Sequence, residues 1–269
     1  MMTGPANTKN QFLKNGWCRF SFDADLAHWV KQSLPAARRA VRAPRHAHWL
    51  RCGGTWFAGV NALANDTQGA VDNGPRLQGV ALDFIRHTLG MNEIAWDHAQ
   101  VSVCYPGYPR PMEAESNAAF LYRRDRDAAH VDGLLAEGPA RRRHLREHHG
   151  FILGIPMVNT NPNASPFAIW EGSHHIIRES FRARFDGIAP EQWGDIDLTD
   201  IYHAARRRIF NTCRRLEVAA QPGEAYLVHR FALHGMAPWR APLTGFPDGR
   251  MVCYFRPEIG GPLNWLTDP

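Results

Sequence analysis

From about residue 98 onward the chain alternates short apolar runs with Pro- and Gly-containing turns, and this rhythm constrains the fold more than any other feature. The runs cover residues 99–104, 118–122, 151–158, 167–170, 216–219, 225–229 and 251–255. Their lengths suit strands rather than helices. Gln221-Pro-Gly-Glu224 places Pro and Gly where a type II turn needs them and so ties two runs together. Many short strands with such turns predict an antiparallel sandwich or barrel.

The residues before this region read differently. Residues 23–43 predict a helix with Asp23 as N-cap, Pro44 as stop and Pro35 as a break between two halves. Residues 75–89 predict an amphipathic helix whose stripe is Leu77, Val80, Leu82, Phe84, Ile85 and Leu89, with Gly90 at the C-cap. Two helical insertions are expected in the strand region, at 139–149 and 173–213. Residues 1–10 are polar and expected to be mobile. No composition shift marks a boundary. The expectation is therefore one domain over 1–269, with helical support at 11–97 and a β core at 98–258.

Composition narrows the classes. A chain of 269 residues buries enough surface to fold without disulfides or metal. The five Cys form no C-x-x-C pair, which argues against a disulfide framework and a Cys-based zinc site and for a reducing compartment. The start shows no leader pattern, and the longest apolar run, 151–158, is too short to cross a bilayer. The expectation is a soluble cytoplasmic protein with no membrane partner. The net charge of +5 is carried almost wholly by Arg. Clusters at 141–143, 206–208 and 214–215 lack the interleaved aromatics that stack bases, so nucleic acid is not the expected partner.

The chemistry is concentrated in a few places. His130 and Asp132 are two apart, and on a strand they point to the same face. The segment 222–235 is a turn, a strand and then Leu233-His-Gly235, and residues 250–256 form a further strand opened by Arg250. Two His and one carboxylate make the facial triad of non-haem Fe(II) oxygenases, which leaves coordination positions open. 2-Oxoglutarate can fill two of them. Its far carboxylate then needs a cation, for which Arg is suited by its planar fork.

The order His130-x-Asp132, Trp170-Glu-Gly-Ser-His174, Leu233-His-Gly235 and Arg250 resembles the phytanoyl-CoA dioxygenase-like family over roughly residues 100–257. The resemblance implies a double-stranded β-helix (jelly-roll, cupin-like) core packed against N-terminal and inserted helices. It implies Fe(II) held by His130, Asp132 and His234, 2-oxoglutarate held by Arg250, and O2 as oxidant. Gly172-Ser-His174 resembles the family's turn near the active-site mouth. Asp132 stands where halogenating relatives have Gly or Ala, so the implied outcome is hydroxylation with release of succinate and CO2. Ser102, Tyr122 and Tyr226, on expected strands, are candidates to bond cofactor or substrate. The substrate is expected to be a small molecule, with an anion favoured if the Arg clusters line the mouth.

Rivals remain open. Arg240 and Arg256 compete with Arg250, which is preferred because it directly precedes the strand. His229 competes with His234, which is preferred because Gly follows it; His229 is read as a strand-end residue facing a loop. His144-Leu-Arg-Glu-His148 matches the H-x-x-E-H pattern of zinc hydrolases, with His144, Glu147 and His148 on one helix face. A solvated basic helix is the preferred reading of that stretch. A non-catalytic jelly-roll binding protein would not need the ordered His, Asp, His and Arg set.

Overall fold

Asp23 starts the long N-terminal helix as the sequence predicts. Its Oδ1 accepts from the N–H groups of Asp25 and Leu26, satisfying donors the helix leaves free. A computed structural model describes residues 5–258 and 260–268. In chain order its first elements are α1 (Pro5–Asn15), β1 (Trp17–Phe20), α2 (Ala24–Arg42), β2 (Leu50–Arg51), β3 (Trp56–Phe57) and α3 (Val80–Asp83). Next come β4 (Gln100–Cys104), α4 (Asn117–Asp125), β5 (Leu134–Glu137), β6 (Arg142–Leu145), β7 (Phe151–Pro156) and β8 (Phe167–Trp170). The chain continues with α5 (Ser173–Phe185), α6 (Thr199–Thr212), β9 (Arg215–Val218), β10 (Ala225–His229), β11 (His234–Met236), β12 (Arg250–Phe255) and α7 (Gly261–Thr267).

Seven strands form one antiparallel sheet in the order β1-β10-β7-β12-β4-β3-β2, and three form a second in the order β11-β8-β9. Alternation along β12 sorts its side chains. Met251, Cys253 and Phe255 join a core under α2 and α3, whereas Val252 and Tyr254 join Ile152, Tyr226 and Val228 of the same sheet and Phe167 and Ile169 of the other. The second group is the filling between the two sheets. α2 buries Leu26, Trp29, Val30, Ser33, Ala37 and Ala40 along one stripe. It runs unbroken through Pro35, against expectation, because packing on both sides outweighs the ~3 kcal/mol that an internal Pro costs.

Other differences from the sequence reading have local causes. Residues 5–15 are helical rather than mobile, because Phe12 is buried against Phe84 and His229; residues 1–4 lie outside the described residues. The segment 11–97 is not helix alone, since β1, β2 and β3 extend the large sheet. The expected helix at 75–89 shortens to α3 and a π-turn over Phe84–Thr88. Asp23 Oδ2 accepts from the Val80 N–H at 2.8 Å and so starts the helix there. The expected strand at 118–122 is helix α4, because the Ser116 hydroxyl caps the Ala119 N–H. The expected helix at 139–149 is the β5–β6 hairpin, turned at Gly138 and Arg141, both with positive φ. The 173–213 insertion is helical as expected, with α5 and α6 packed on each other.

Candidate metal centre

His130 and His234 face each other across a single β-bridge. The His130 N–H donates to the His234 carbonyl at 2.8 Å and the His234 N–H returns a bond at 3.0 Å. The bridge sets the imidazoles side by side, 4.6 Å between ring centroids. Each ring is then oriented the same way: Nδ1 of His130 lies 3.0 Å from the Ala128 carbonyl, and Nδ1 of His234 lies 2.9 Å from the Ala232 carbonyl. With Nδ1 committed to a main-chain acceptor, Nε2 is the free nitrogen on both. Asp132 Oδ1 stands 3.2 Å from Nε2 of His130 and 3.8 Å from Nε2 of His234. The three ligand atoms lie within 4.8 Å of one another. Among the described residues this is the group of His, Cys, Asp and Glu placed to hold a metal ion.

The sequence builds the site by alternation. Ala129 and Val131 are buried in the helical core of α5 and α6, which leaves His130 and Asp132 on the cavity side. Two tyrosines brace this segment: the Tyr122 hydroxyl donates to the Ala129 carbonyl at 2.6 Å, and the Tyr202 hydroxyl accepts from the Val131 N–H at 3.1 Å. The chain enters through Asp127 and Ala128, both in the left-handed region at φ +55 and +51. Such strain persists only where the surroundings fix it. Here Arg215 binds the Asp127 carboxylate through two bonds of 2.6 and 2.9 Å. Gly235 explains the His-Gly pair, because a Cβ there would sit 2.2 Å from the Asp127 carbonyl oxygen.

Electrostatics favour a charged carboxylate and a neutral His234 ring. Burial pushes Asp132 up, but the Arg256 guanidinium and the two imidazoles outweigh it and hold the carboxyl well below its usual range. Burial lowers His234 to about 4, with His130 adding to the effect. Burial also pulls on His130, but its bond to Asp132 prevails and raises it. Two imidazole nitrogens and one carboxylate oxygen are a donor set that fits Fe(II) or a similar divalent ion, which binds His130 by displacing its proton.

The centre opens on a cavity of about 370 Å³ lined by Trp49, Trp56, Leu135, Ile152, Phe167 and both histidines, among others. Ser102 lines it and accepts from Trp56 Nε1 at 3.2 Å. Tyr122 does not: it sits on a helix, and its hydroxyl is spent behind the ligands. Arg250 is buried behind Met236 and Tyr254, with one nitrogen 2.9 Å from the Met236 sulfur and another 3.3 Å from the Tyr226 hydroxyl. Tyr226 in turn donates to the Tyr254 hydroxyl at 2.8 Å.

The rivals separate. Arg240 pairs with Glu217 on the surface. Arg256 contacts Asp132 at 3.3 Å, a role the sequence reading missed. His229 does not face a loop: it is buried, stacked on Phe12 and bonded to Arg178 at 2.7 Å, away from the centre. Ser173 of the Gly-Ser-His turn accepts from the Leu233 N–H, steadying the approach to His234. His144 lies on strand β6 and Glu147 pairs with His149, so the H-x-x-E-H residues do not share a helix face. The Arg clusters are engaged elsewhere: Arg142 with Asp197 and Asp200, Arg208 with Glu179, Arg215 with Asp127 and Glu217. Arg51 and Arg256 are the arginines that line the cavity among the described residues.

No protein-family model and no curated protein sequence matches the chain. Solved structures resemble it remotely. The non-haem alpha-ketoglutarate-dependent carbocyclase SnoK from nogalamycin biosynthesis is 13% identical with a TM-score of 0.49, over 95% of this chain and 86% of that one. AviO1 from Streptomyces viridochromogenes is 12% identical with a TM-score of 0.48, over 96% of each chain. EctD from S. alaskensis with bound Fe is 16% identical with a TM-score of 0.47, over 94% of this chain and 76% of that one. At these identities the chemistry has to be read from the residues themselves.

Proposed function

We propose that this chain is an Fe(II)- and 2-oxoglutarate-dependent oxygenase, a single domain of the phytanoyl-CoA dioxygenase-like type on a double-stranded β-helix. One observation carries the reading: His130, Asp132 and His234 present three ligand atoms within 4.8 Å of one another at the wall of a 370 Å³ cavity. These residues would hold Fe(II) and leave the remaining coordination positions for 2-oxoglutarate and O2. When bound, iron and cosubstrate supply the oxidising power for hydroxylation, with succinate and CO2 released.

The protein's own residues bind and orient. Arg250 is a buried guanidinium, and no carboxylate among the described residues pairs with it. A buried charge needs a counterion, and the distal carboxylate of 2-oxoglutarate fits a planar fork beside the Tyr226 hydroxyl. His234 and Met236 share a face of β11 about 7 Å apart. A five-carbon dicarboxylate can bridge that span once Met236 turns aside. Ser102 adds a hydroxyl at the cavity wall.

The substrate end is apolar and aromatic, with Arg51 over the Trp49 ring at 4.9 Å. Both acids at the wall, Asp127 and Asp132, are already engaged. This charge balance favours a small anionic metabolite. Five free thiols suit a cytoplasmic setting, and no helix among the described residues is long and apolar enough to cross a membrane.

The test is an anaerobic mixture of protein, Fe(II) and 2-oxoglutarate, followed by a decarboxylation screen against a metabolite library. The expected result is a weak visible charge-transfer band and substrate-coupled succinate, both lost in His130→Ala and Asp132→Ala. Wild-type turnover in either variant, or no band in the wild type, overturns the reading.

A further inference from the structure

We propose that Arg256 is the positioning residue of the metal centre: it holds one oxygen of Asp132 away from the metal, and the Glu147–His149 pair holds Arg256 in turn. This rests on reading His130, Asp132 and His234 as a metal site. The two oxygens of Asp132 have different neighbours. Oδ1 faces the two imidazole nitrogens at 3.2 and 3.8 Å, whereas Oδ2 lies 3.3 Å from the Arg256 guanidinium. An unrestrained carboxylate can bind a metal through both oxygens and occupy two positions. With Oδ2 engaged by Arg256, Asp132 binds through Oδ1 alone and leaves the second position free.

Arg256 is itself fixed at both main-chain groups, by half-buried Asp97 and buried His149. Its N–H donates to Asp97 Oδ1 at 3.2 Å. Its carbonyl lies 2.8 Å from Nδ1 of His149, whose Nε2 is 3.0 Å from Glu147 Oε2. The Glu147 carboxylate and Arg256 carbonyl both accept, so the imidazole between them donates at each side when protonated. The bond to Glu147 outweighs burial and raises His149, which favours that form. A chain of contacts thus runs Glu147, His149, Arg256, Asp132, and ends on the ligand oxygen that is not facing the histidines. It also gives Glu147, part of the H-x-x-E-H stretch, a place in the metal centre without ligating anything.

Position along β12 separates this role from 2-oxoglutarate binding. Arg250 opens β12 and Arg256 follows its last residue, six positions on and about 20 Å along the main chain. Arg250 sits beside Tyr226 and Tyr254, and Arg256 sits beside Asp132. A dicarboxylate whose distal carboxylate is held at Arg250 therefore meets Arg256 only at its metal-binding end.

The experiment titrates Co(II) into wild type, Arg256→Gln, Arg256→Lys and His149→Gln without 2-oxoglutarate, reading affinity and the visible Co(II) spectrum. Circular dichroism confirms folding at the assay temperature. Arg256→Gln is expected to bind Co(II) roughly 10- to 100-fold more weakly, as losses of supporting contacts do. Its spectrum should change as Asp132 binds through both oxygens. Arg256→Lys should restore most of the affinity, and His149→Gln should fall between. Should Arg256→Gln fail to fold, the Lys and His149 variants carry the same comparison. Wild-type affinity and spectrum in the folded variants overturn the proposal. A second titration of 2-oxoglutarate into the Co(II)-loaded proteins separates the alternative: a variant with wild-type Co(II) affinity and spectrum that needs more 2-oxoglutarate also overturns the proposal, making Arg256 a cosubstrate anchor. A wild type that binds no Co(II) overturns the metal-site reading as well, and so is told apart from failure of Arg256 alone.

Discussion

Gly235→Ala inserts a methyl group where β11 passes the segment that leads to His130. The added Cβ would lie 2.2 Å from the Asp127 carbonyl oxygen and 3.3 Å from the Ala129 Cα, whereas real Cβ atoms stay beyond 3.0 Å. Neither side yields easily. Asp127 is held by Arg215, and its carbonyl accepts from the Met236 N–H at 2.9 Å. Gly235 is paired with Ala168 on β8. Relief therefore comes from parting the two segments by about 1 Å, at an overpacking cost of ~1–3 kcal/mol. The same movement separates the two imidazoles, while metal–ligand distances tolerate only about 0.2 Å. A loss of metal affinity of roughly 10- to 100-fold is expected, in the range seen when supporting contacts are lost. Co(II) titration reads the affinity. Thermal unfolding reads the stability, at roughly 2–4 °C for each kcal/mol in a chain of this size. Wild-type affinity together with an unchanged midpoint would refute the claim that this close approach sets the ligand geometry.

Arg250→Gln removes the charge behind Met236; with a charge-assisted bond contributing ~1.5–3 kcal/mol, the 2-oxoglutarate requirement should rise about 10- to 100-fold while Co(II) affinity holds. An unchanged requirement would move the cosubstrate to another cation. Gly154→Ala places a Cβ 2.4 Å from the Tyr226 ring and 2.8 Å from its hydroxyl oxygen, so it should destabilise by ~1–3 kcal/mol and raise the same requirement by displacing Tyr226 from Arg250; wild-type values for both would count against Tyr226 as a cosubstrate contact. His174 is 1% exposed and burial holds it at about 4, whereas the unfolded chain titrates near 6.5. Between those values the unfolded state binds a proton that the folded state does not, so stability should fall as pH drops from about 6.5 to about 4, by ~3 kcal/mol from this residue. Urea midpoints of His174→Gln should fall less steeply over that range, and a slope equal to wild type would rule out the burial of a neutral imidazole as the cause.

The strand pattern was legible because burial in two packed sheets imposes it directly. Residues 151–156 and 250–255 are buried throughout, so their apolar runs are continuous. Where a short segment depends on capping, the pattern misleads. Residues 118–122 are apolar enough for a strand, but the Ser116 hydroxyl commits them to helix. The Arg-rich stretch at 141–146 has helix-forming residues, yet its charges are placed by partners distant in sequence. Arg142 reaches Asp197 and Asp200, and the Arg143 guanidinium donates to the Leu134 carbonyl while its main-chain N–H donates to the Thr199 hydroxyl. Pairing with β5 then settles it as strand. Local propensity is a weak guide wherever such contacts decide.

The same distinction runs through the site. The candidate ligands His130, Asp132 and His234 stand out in the chain because metal binding needs specific residue types, and two of them sit at strand spacing. Their geometry was not legible: the reciprocal bridge between His130 and His234 joins residues 104 apart in sequence, and no local pattern announces it. The supporting residues were harder still. Tyr122 attracted notice as a possible cofactor contact and proves to brace the ligands from behind through the Ala129 carbonyl. Arg256 was visible only as one of several cations near a strand end, and Glu147 only inside a motif of another enzyme class. What assigns them is register. β12 must pair with β4 and β7 before Arg256 meets Asp132, and the β5–β6 hairpin must close before Glu147 and His149 meet Arg256. Ligands answer to chemistry and so leave a compositional trace. Residues that aim the ligands answer to tertiary position, and any residue type with the right donors will serve. A site of this kind therefore shows its metal-binding residues in the sequence and its control over their geometry only in the fold.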